Sequence, residues 1–269
     1  ITADALGVPF ESIDVIGGDT AKIAFGIGTI ASRSTVTAGN AIHAAATQVK
    51  QRAIDLAADM LEAASGDLEL IDGKVRIKGA DRSVTVAQVA QAAIKGVLKQ
   101  GRPGDGMLAD TAYFIPPTVT YASAAHAVVV SVDPDTGVVT VLRYVVVHDC
   151  GRVVNPLLAD AQVVGGVMQG VGGILCEEMI YDENGQPLTG SFMDYAMPIA
   201  ADLPDVELDH IESLSTRNPL GVKGLGEGGA IGPPAAVANA VEDALQPLGV
   251  VVRRGPLSPS RVRALIAAA

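Results

Sequence analysis

One carboxylate in this chain, Glu227, has surroundings that suit acid–base chemistry. It lies within residues 221–234, GVKGLGEGGAIGPP, and is the only titratable side chain in the ten residues that follow Lys223. Glycine permits backbone conformations with positive φ and lets the main chain approach a ligand closely. The loop therefore suits a general base directed at a flat, tightly bound cofactor. A Gly/Pro surface turn is the alternative that these residues leave open.

Two glutamines lie on a glycine-rich helix that the sequence predicts over residues 159–178. Gln162 and Gln169 are two turns apart and share one face of this helix. The same face carries three glycines: Gly166, Gly170 and Gly173. Each interior glycine costs about 0.8–1 kcal/mol relative to alanine. Two explanations remain open from the residues alone. Either the glycines pack closely against another helix, or they leave a groove in which the two amides bind a planar, polar ligand.

Residues 31–40, ASRSTVTAGN, place several hydroxyls and one guanidinium just before a predicted helix. Hydroxyls, backbone N–H groups and a helix N-terminus together form an anion-binding site. Simple N-capping by Thr37 would contribute about 1 kcal/mol. Capping accounts for one hydroxyl but leaves Arg33, Ser34 and Thr35 unexplained.

His148, Asp149 and Cys150 are consecutive and could suggest a metal site or a nucleophile. A nucleophile needs a base that a third group orients, and neighbouring residues on a strand point to opposite faces. We therefore prefer a structural role for this motif. The remaining histidines stand alone and are interpreted as surface or core residues: His43, His126 and His210.

The hydrophobic pattern mixes hairpins with helices, without a strict β–α–β alternation. This favours an α+β fold, with helices packed on antiparallel or mixed sheets. The predicted helices cover residues 1–7, 38–66, 85–97, 159–178, 233–248 and 258–268. The predicted strands cover residues 13–16, 68–70, 74–77, 119–132, 138–147 and 206–211, and a further hairpin is expected around 182–185. Asp72-Gly73 is the strongest turn signal, and residues 100–106, QGRPGDG, form the predicted linker.

Composition narrows the class of protein. The 269 residues carry a formal net charge of −11, which argues against a nucleic-acid or anionic-membrane partner. Cys150 and Cys176 show no metal-ligand spacing. Free thiols in a reducing compartment are a simpler interpretation than a disulfide, which the sequence leaves open. No uncharged, glycine-poor stretch reaches the ~20 residues of a membrane span. We expect a cytoplasmic protein that is the middle of a longer polypeptide, or a processed or split subunit.

Four segments resemble the molybdenum hydroxylases, namely xanthine dehydrogenase, aldehyde oxidoreductase and the large subunit of aerobic carbon monoxide dehydrogenase. They are ASRST at 31–35, HDCGRVVNP at 148–156, QVVGGVMQGVG at 162–172 and KGLGE at 223–227. The resemblance covers residues 15–248 and looks closest to carbon monoxide dehydrogenase-like large subunits. It implies that residues 1–105 and 106–269 are portions of two molybdopterin-binding subdomains.

The resemblance also implies roles for individual residues. Glu227 would act as a general base beside the molybdenum, which the dithiolene of the pterin holds without a protein ligand. The implied cofactor-binding residues are Arg33, Ser34, Thr35, Gln162, Gln169 and Gly226. For the glycine-rich helix, the resemblance favours a ligand groove over helix packing.

The implied reaction is hydroxylation of an aldehyde, an N-heterocycle or a carbon monoxide-like substrate, with water as the oxygen source. The implied cofactor is a molybdenum-pyranopterin, and a bacterial-looking sequence suggests its cytosine dinucleotide form. Electrons would leave through [2Fe–2S] clusters and FAD on partner chains. The family's upstream GGGFG-type loop is also missing here, so the chain resembles the C-terminal half of the catalytic subunit. The expected partners are the N-terminal molybdopterin-binding half, an iron–sulfur subunit and an FAD subunit.

Two other functions compete with this one. A molybdopterin-storage or cofactor-insertion module would keep the glutamine helix and the 31–35 loop but would not need Glu227. A non-catalytic α+β interaction domain would use its glycines only for packing. A nucleotide-binding module ranks lower, because no GxGxxG-like pattern follows a strand and opens a helix here.

Overall fold

A computed structural model describes residues 1–23, 25–26, 28–100, 107–202 and 204–269, with the backbone alone for 96–100. The chain forms two compact units. Unit 1 comprises Ile1–Thr29, Ser34–Pro117 and Asn218–Leu220, and unit 2 comprises Ile30–Arg33, Thr118–Arg217 and Gly221–Ala269. Of the linker predicted at 100–106, residues 101–106 lie outside the described residues. The division into 1–105 and 106–269 stays a prediction.

Unit 1 packs helices against a small antiparallel sheet. Its α-helices are α1 (Thr2–Leu6), α2 (Asn40–Leu61) and α3 (Val86–Gln100). Its sheet has the order β1 (Leu68–Ile71), β2 (Lys74–Ile77) and β3 (Ser83–Thr85). The buried face of α2, with Ala53, Ala57 and Leu61, packs with Leu70 and Val75 of the sheet. Burial of this apolar surface is what stabilises the unit.

Local turn chemistry shapes unit 1 as the sequence predicts. Asp72 and Gly73 have φ of 49° and 69°, the two positive values that a tight β1–β2 hairpin needs. Thr85 caps α3, because its Oγ1 accepts from the backbone N–H of Gln88 at 3.1 Å. Gln88 Oε1 in turn accepts from the backbone N–H of Thr85 at 2.8 Å, which completes a capping box. The predicted hairpin and the predicted helix start are confirmed.

Two predictions in unit 1 are wrong. Residues 13–16 form no strand, and Val15 and Ile16 are exposed without a sheet partner in the described chain. Helix α2 ends at Leu61 and not at 65–66, because Glu62 adopts a left-handed conformation with φ of 52°. Thr37, which the sequence analysis considered as a simple N-cap, lies inside a π-helical turn, Thr35–Gly39, that leads into α2.

Unit 2 packs four described helices with a mixed three-stranded sheet. The helices are α4 (Pro156–Leu175), α5 (Gly228–Ile231), α6 (Pro233–Leu245) and α7 (Pro259–Ala268). The strands are β4 (Ser123–Val132), β5 (Val139–Asp149) and β6 (Val206–His210), in the order β4-β5-β6. Strands β4 and β5 pair antiparallel, as predicted, and β5 pairs parallel with β6. The fold class predicted from the sequence, α+β with antiparallel and mixed sheets, is confirmed.

The core of unit 2 lies between the sheet and the helices. Tyr144 and Val146 of β5 are fully buried, as are Val163 and Val167 of α4 and Val237 of α6. Asn155 caps α4, because its Oδ1 accepts from the backbone N–H of Leu158 at 3.2 Å, and Pro156 follows at the first helical position.

Several boundaries in unit 2 differ from the sequence prediction. Strand β4 begins at Ser123, four residues later than predicted, and α4 ends at Leu175, three residues earlier. The hairpin expected around 182–185 forms and is short: the Leu188 N–H donates to the Ile180 carbonyl at 2.7 Å, the Asp182 N–H donates to the Gln186 carbonyl at 3.0 Å, and Tyr181 bridges Pro187. Helix α5 and strand β3 were not predicted, because each is too short to show a hydrophobic period.

Helix α4 has the length and composition of a membrane-crossing helix. It spans 20 residues, and an 18-residue stretch of it has a mean hydropathy of 1.2 and is 44% buried inside the structure. The core helix of a water-soluble protein has the same two properties, so they are weak grounds for a membrane span.

Candidate functional site

The glycine-rich loop that carries Glu227 is fixed by backbone pairing within unit 2. Val222 forms a bridge with Gly151, and the Lys223 N–H donates to the carbonyl of Cys150 at 2.7 Å. The Gly224 N–H then donates to the carbonyl of Thr120 at 2.9 Å. The residues before Glu227 are therefore tied to the end of β5 and to the segment that leads into β4, so the loop is not a free surface turn.

Asp149 stabilises the start of this loop through hydrogen bonds. Its Oδ2 accepts from Lys223 Nζ at 2.9 Å and from the Ser213 hydroxyl, and its Oδ1 accepts from the Gly151 N–H at 2.8 Å. Burial alone raises the pKa of Asp149, but the hydrogen bonds from Ser213, Lys223 and Gly151 outweigh it and hold that pKa far below the usual carboxyl range. The structural role predicted for this motif is confirmed for Asp149.

Glu227 is held by a serine that the sequence analysis did not single out. Ser32 Oγ donates to Glu227 Oε2 at 2.6 Å and accepts from the Glu227 N–H at 3.0 Å. Ser32 and its neighbour Ala31 have φ of 55° and 50°, a left-handed conformation that costs free energy for non-glycine residues. Gly224 gives Ser32 room, because a Cβ there would lie 3.0 Å from Ser32 Cβ. Nothing local in the sequence signals this pair, whose members are 195 residues apart.

Gln162 reaches the same loop. Its side-chain Nε2 donates to the carbonyl of Gly226 at 2.7 Å, so helix α4 fixes the residue immediately before Glu227. Gln169 lies two turns further along α4 and is exposed. The structure thus brings together Gln162, Gly226 and Glu227, while Gln169 is placed on the same helix without a contact to the loop in the described chain.

The ligand-groove interpretation of the α4 glycines is wrong for two of them. A Cβ at Gly166 would lie 2.8 Å from the Cα of Gly229, and a Cβ at Gly170 would lie 2.7 Å from the carbonyl of Ala230. Both glycines therefore serve the close approach of α4 to α5. Gly173 faces open space, with nothing within 4 Å of a Cβ. Helix packing, the explanation that the sequence analysis ranked second, accounts for Gly166 and Gly170.

A cleft of about 310 Å³ lies beside Glu227 in unit 2. Its lining includes Ser32, Glu227, Gly228 and two histidines, His126 and His148. His126 Nδ1 lies 3.0 Å from the hydroxyl of Tyr144. Burial lowers the pKa of both histidines, so both rings are neutral at pH 7. His126, interpreted from the sequence as a surface or core residue, is half-buried, and strand pairing places it near His148.

The other predicted binding residues occupy the entrance to α2. Ser34 Oγ donates to Thr29 Oγ1 at 3.3 Å, and Thr35 opens the π-helical turn Thr35–Gly39. Both belong to unit 1 and are exposed, whereas Arg33 belongs to unit 2 and is half-buried. Exposed hydroxyls at a helix entrance suit an anion, and their role in cofactor binding stays a prediction.

A comparison of this chain with known protein families shows which family it belongs to. The model of the molybdopterin cofactor-binding domain matches residues 1–204. The chain belongs to this family. The predicted resemblance to molybdenum hydroxylase large subunits is thereby confirmed, since the curated relatives and solved structures that match the chain carry such names.

Two curated relatives show how much is shared. The chain is 41% identical over 263 residues to the nicotine 6-hydroxylase large subunit of Paenarthrobacter nicotinovorans, which covers 97% of this chain and 32% of the relative. It is 37% identical over 245 residues to the carbon monoxide dehydrogenase large chain of Afipia carboxidovorans, covering 91% and 30%. The chain therefore spans about a third of the length of the relatives it matches.

Two solved structures share the fold. The Cu,Mo-CO dehydrogenase matches with a TM-score of 0.88 and 34% identity, over 99% of this chain and 33% of that one. Quinoline 2-oxidoreductase from Pseudomonas putida 86 matches with a TM-score of 0.87 and 37% identity, over 99% and 34%. Nearly the whole chain thus adopts the fold of one region of these enzymes.

Proposed function

We propose that this chain is the C-terminal part of the molybdenum-cofactor catalytic subunit of a molybdenum hydroxylase. The single observation that supports the catalytic role most strongly is the pair of hydrogen bonds between Ser32 and Glu227, made by a strained backbone beside an open cleft. A surface turn has no need of a conformation that costs free energy in order to hold one carboxylate.

The residues of the cleft fit a flat, polar cofactor. Bare backbone at Gly224 and Gly228 lines it, together with the Ser32 hydroxyl and the Glu227 carboxylate. The amide of Gln162 fixes the loop at Gly226, beside the cleft. Hydroxyl, amide and backbone donors match the edge of a pterin, which presents alternating donors and acceptors. The family resemblance, and not the lining of this cleft, is the ground on which we assign cofactor binding to six further residues: Arg33, Ser34, Thr35, Gln162, Gln169 and Gly226.

Glu227 is the proposed general base. A bound molybdenum-pterin would supply a two-electron oxidation in which water provides the oxygen. Glu227 would take up the proton that the water loses, and the two hydrogen bonds from and to Ser32 hold its carboxylate in place. General-base assistance of this type is typically worth about 10²–10⁴-fold in rate.

The Glu227→Gln variant tests this proposal. Glutamine keeps the size and a hydrogen-bonding oxygen but cannot accept the proton, so turnover should fall at least about 10²-fold. Molybdenum content, measured by inductively coupled plasma mass spectrometry, should stay at the wild-type value. Unchanged turnover, or a wild-type protein that never contains molybdenum, would contradict the proposal. A storage module predicts molybdenum in both proteins and turnover in neither.

The partners and the substrate class belong to the same proposal. We expect the N-terminal molybdopterin-binding half, a [2Fe–2S] subunit and an FAD subunit to accompany this chain in the cytoplasm, and the cofactor to be the cytosine dinucleotide form. Purification from the native host, with each co-purifying chain identified and its iron and flavin measured, tests this set. Several of the matched proteins carry N-heterocycles in their names, among them nicotine, quinoline, hypoxanthine and xanthine. Among aldehydes, N-heterocycles and carbon monoxide, N-heterocycles are therefore the first class to screen.

A further inference from the structure

Helix α5, the short helix that follows Glu227, packs closely against other elements of unit 2 on two sides. On one side lies α4: a Cβ at Gly229 would overlap the carbonyl oxygen of Val163. On the other side lies β5: a Cβ at Gly228 would overlap Nε2 of His148. Gly228 directly follows Glu227, so the contact with His148 is the one that bears most closely on the carboxylate.

A histidine at position 148 costs folding free energy, because the position is buried. It is 1% exposed, and neither of its ring nitrogens has a hydrogen-bond partner among the residues that the structure describes. Burial lowers the pKa of His148, and the neighbouring His210 lowers it further, so the ring is neutral at pH 7. A buried polar group without a partner destabilises the folded state, whereas an aliphatic side chain would not. This cost points to a role beyond filling the core.

The ring of His148 is itself held in one orientation. His210 is its neighbour in the parallel β5–β6 pair, and the two rings meet edge to face, with centroids 6.3 Å apart and an interplanar angle of 86°. His210 Nε2 lies 2.6 Å from Oδ1 of Asp160 on α4. A line of contacts therefore runs from Asp160 through His210 and His148 to Gly228.

We propose that His148 is a positioning residue for Glu227, which acts through the bare Cα of Gly228 while His210 and Asp160 hold its ring. A shift of Gly228 toward β5 is blocked by the ring, and a shift of α5 toward α4 is blocked at Gly229 by the backbone of Val163. The carboxylate therefore stays against Ser32. The meaning of this position for catalysis rests on the proposed function, but the position itself can be measured without turnover.

The Gly228→Ala variant in the assembled holoenzyme is the first test. Gly228 lies in α5 without a positive φ, so its backbone conformation suits alanine and the overlap with His148 is the obstacle. We expect the distance between Ser32 Oγ and Glu227 Oε2, 2.6 Å in the native protein, to exceed 3.5 Å in a crystal structure of the variant. The kcat should fall at least about tenfold, while KM and molybdenum content stay within about twofold.

The double variant Gly228→Ala/His148→Ala tests whether removal of the ring restores what Gly228→Ala has lost. Removal of the ring makes room for the new methyl group, so the Ser32–Glu227 contact should return and kcat should exceed that of Gly228→Ala. His148→Ala alone should lower kcat, because the support is lost. Gly66→Ala serves as the control, since a Cβ there meets nothing within 4 Å. The double variant Gly229→Ala/His148→Ala should have the same kcat as Gly229→Ala, because the atom that a Cβ at Gly229 overlaps belongs to the backbone of Val163 and not to His148.

Two results would overturn the inference: Gly228→Ala with the native Ser32–Glu227 distance and native kcat, or a double variant no better than Gly228→Ala. Failure of the proposed function would look different. A molybdenum-loaded wild-type protein without turnover would contradict the general-base role of Glu227, while the crystallographic distances would still decide whether His148 positions it.

Discussion

At the scale of single residues, Glu227 depends on a partner with an unusual backbone. Ala31 and Ser32 both have positive φ, and Gly224 and Gly226 lie against Ser32 without side chains. Strain of this kind persists only where the surrounding contacts hold it in place. The two hydrogen bonds between Ser32 and Glu227 are such contacts. The strained backbone at 31–32 and the neighbouring glycines therefore act together to orient the Glu227 carboxylate.

Ser32→Ala should lower activity without loss of cofactor. The hydroxyl donates to a charged group, and such a hydrogen bond contributes about 1.5–3 kcal/mol. Since about 1.36 kcal/mol is tenfold in rate, kcat should fall roughly 10–100-fold if the bond serves the transition state. Steady-state kinetics with a parallel molybdenum assay measures this. A native kcat in Ser32→Ala would show that the orientation of Glu227 does not depend on Ser32.

Asp149 gives a stability that depends on pH. Its pKa lies far below the ordinary value of 3.8, so its contribution is fully present above about pH 5 and is lost as the pH falls below 4 toward the folded-state pKa. Asp149→Asn should unfold at a lower temperature at pH 7, because Lys223 loses its ionic partner. The variant should also lose less of its remaining stability between pH 5 and pH 3. Thermal unfolding across this range measures both effects, and parallel curves for the two proteins would contradict the assignment.

At the scale of elements, the glycines of α4 have two kinds of surroundings. Gly166 and Gly170 lie against α5 and let it approach, while Gly165 and Gly173 meet nothing within 4 Å of a Cβ. The glycines of one helix therefore have opposite consequences for stability. The two that contact α5 are required by packing, and the two in open space only weaken the helix in this structure.

Gly170→Ala and Gly173→Ala form a matched pair that tests this division. The new methyl group at 170 overlaps Ala230 and Pro233, and overpacking of this kind costs about 1–3 kcal/mol. At 173 alanine improves helix propensity by about 0.8–1 kcal/mol. The urea midpoint of unfolding should fall in the first variant and rise in the second. Equal shifts would show that α4 and α5 are not in close contact.

At the scale of the whole molecule, the chain spans about a third of the length of its relatives. Unit 2 exposes large apolar side chains in one segment: Phe192 (83%), Met193 (92%) and Ile199 (64%). Apolar groups clustered on a surface usually mark a contact with another chain or another part of the same one. The proposed N-terminal half is the natural candidate for this contact.

Phe192→Ser/Met193→Ser tests the apolar segment. The isolated chain should become less prone to aggregation, because less apolar surface reaches water. Co-purification with the N-terminal half should weaken. Leu248→Ser, a half-exposed position outside the segment, is the control and should change neither property. Size-exclusion chromatography of the chain alone and a pull-down with the co-expressed half measure the two effects. Native binding by the double variant would place the contact elsewhere.

The sequence by itself determined the features that depend on near neighbours. The Asp72-Gly73 hairpin and the start of α3 after Thr85 follow from turn and cap chemistry over a few residues. The glycine loop, with the family resemblance, pointed to Glu227. Only the tertiary structure showed that Ser32 holds Glu227, that His148 lies under Gly228, and that Gly166 and Gly170 serve packing. The physical reason is that hydrophobic period and turn chemistry act along the chain, whereas these contacts join residues far apart in sequence and exist only once the elements have packed.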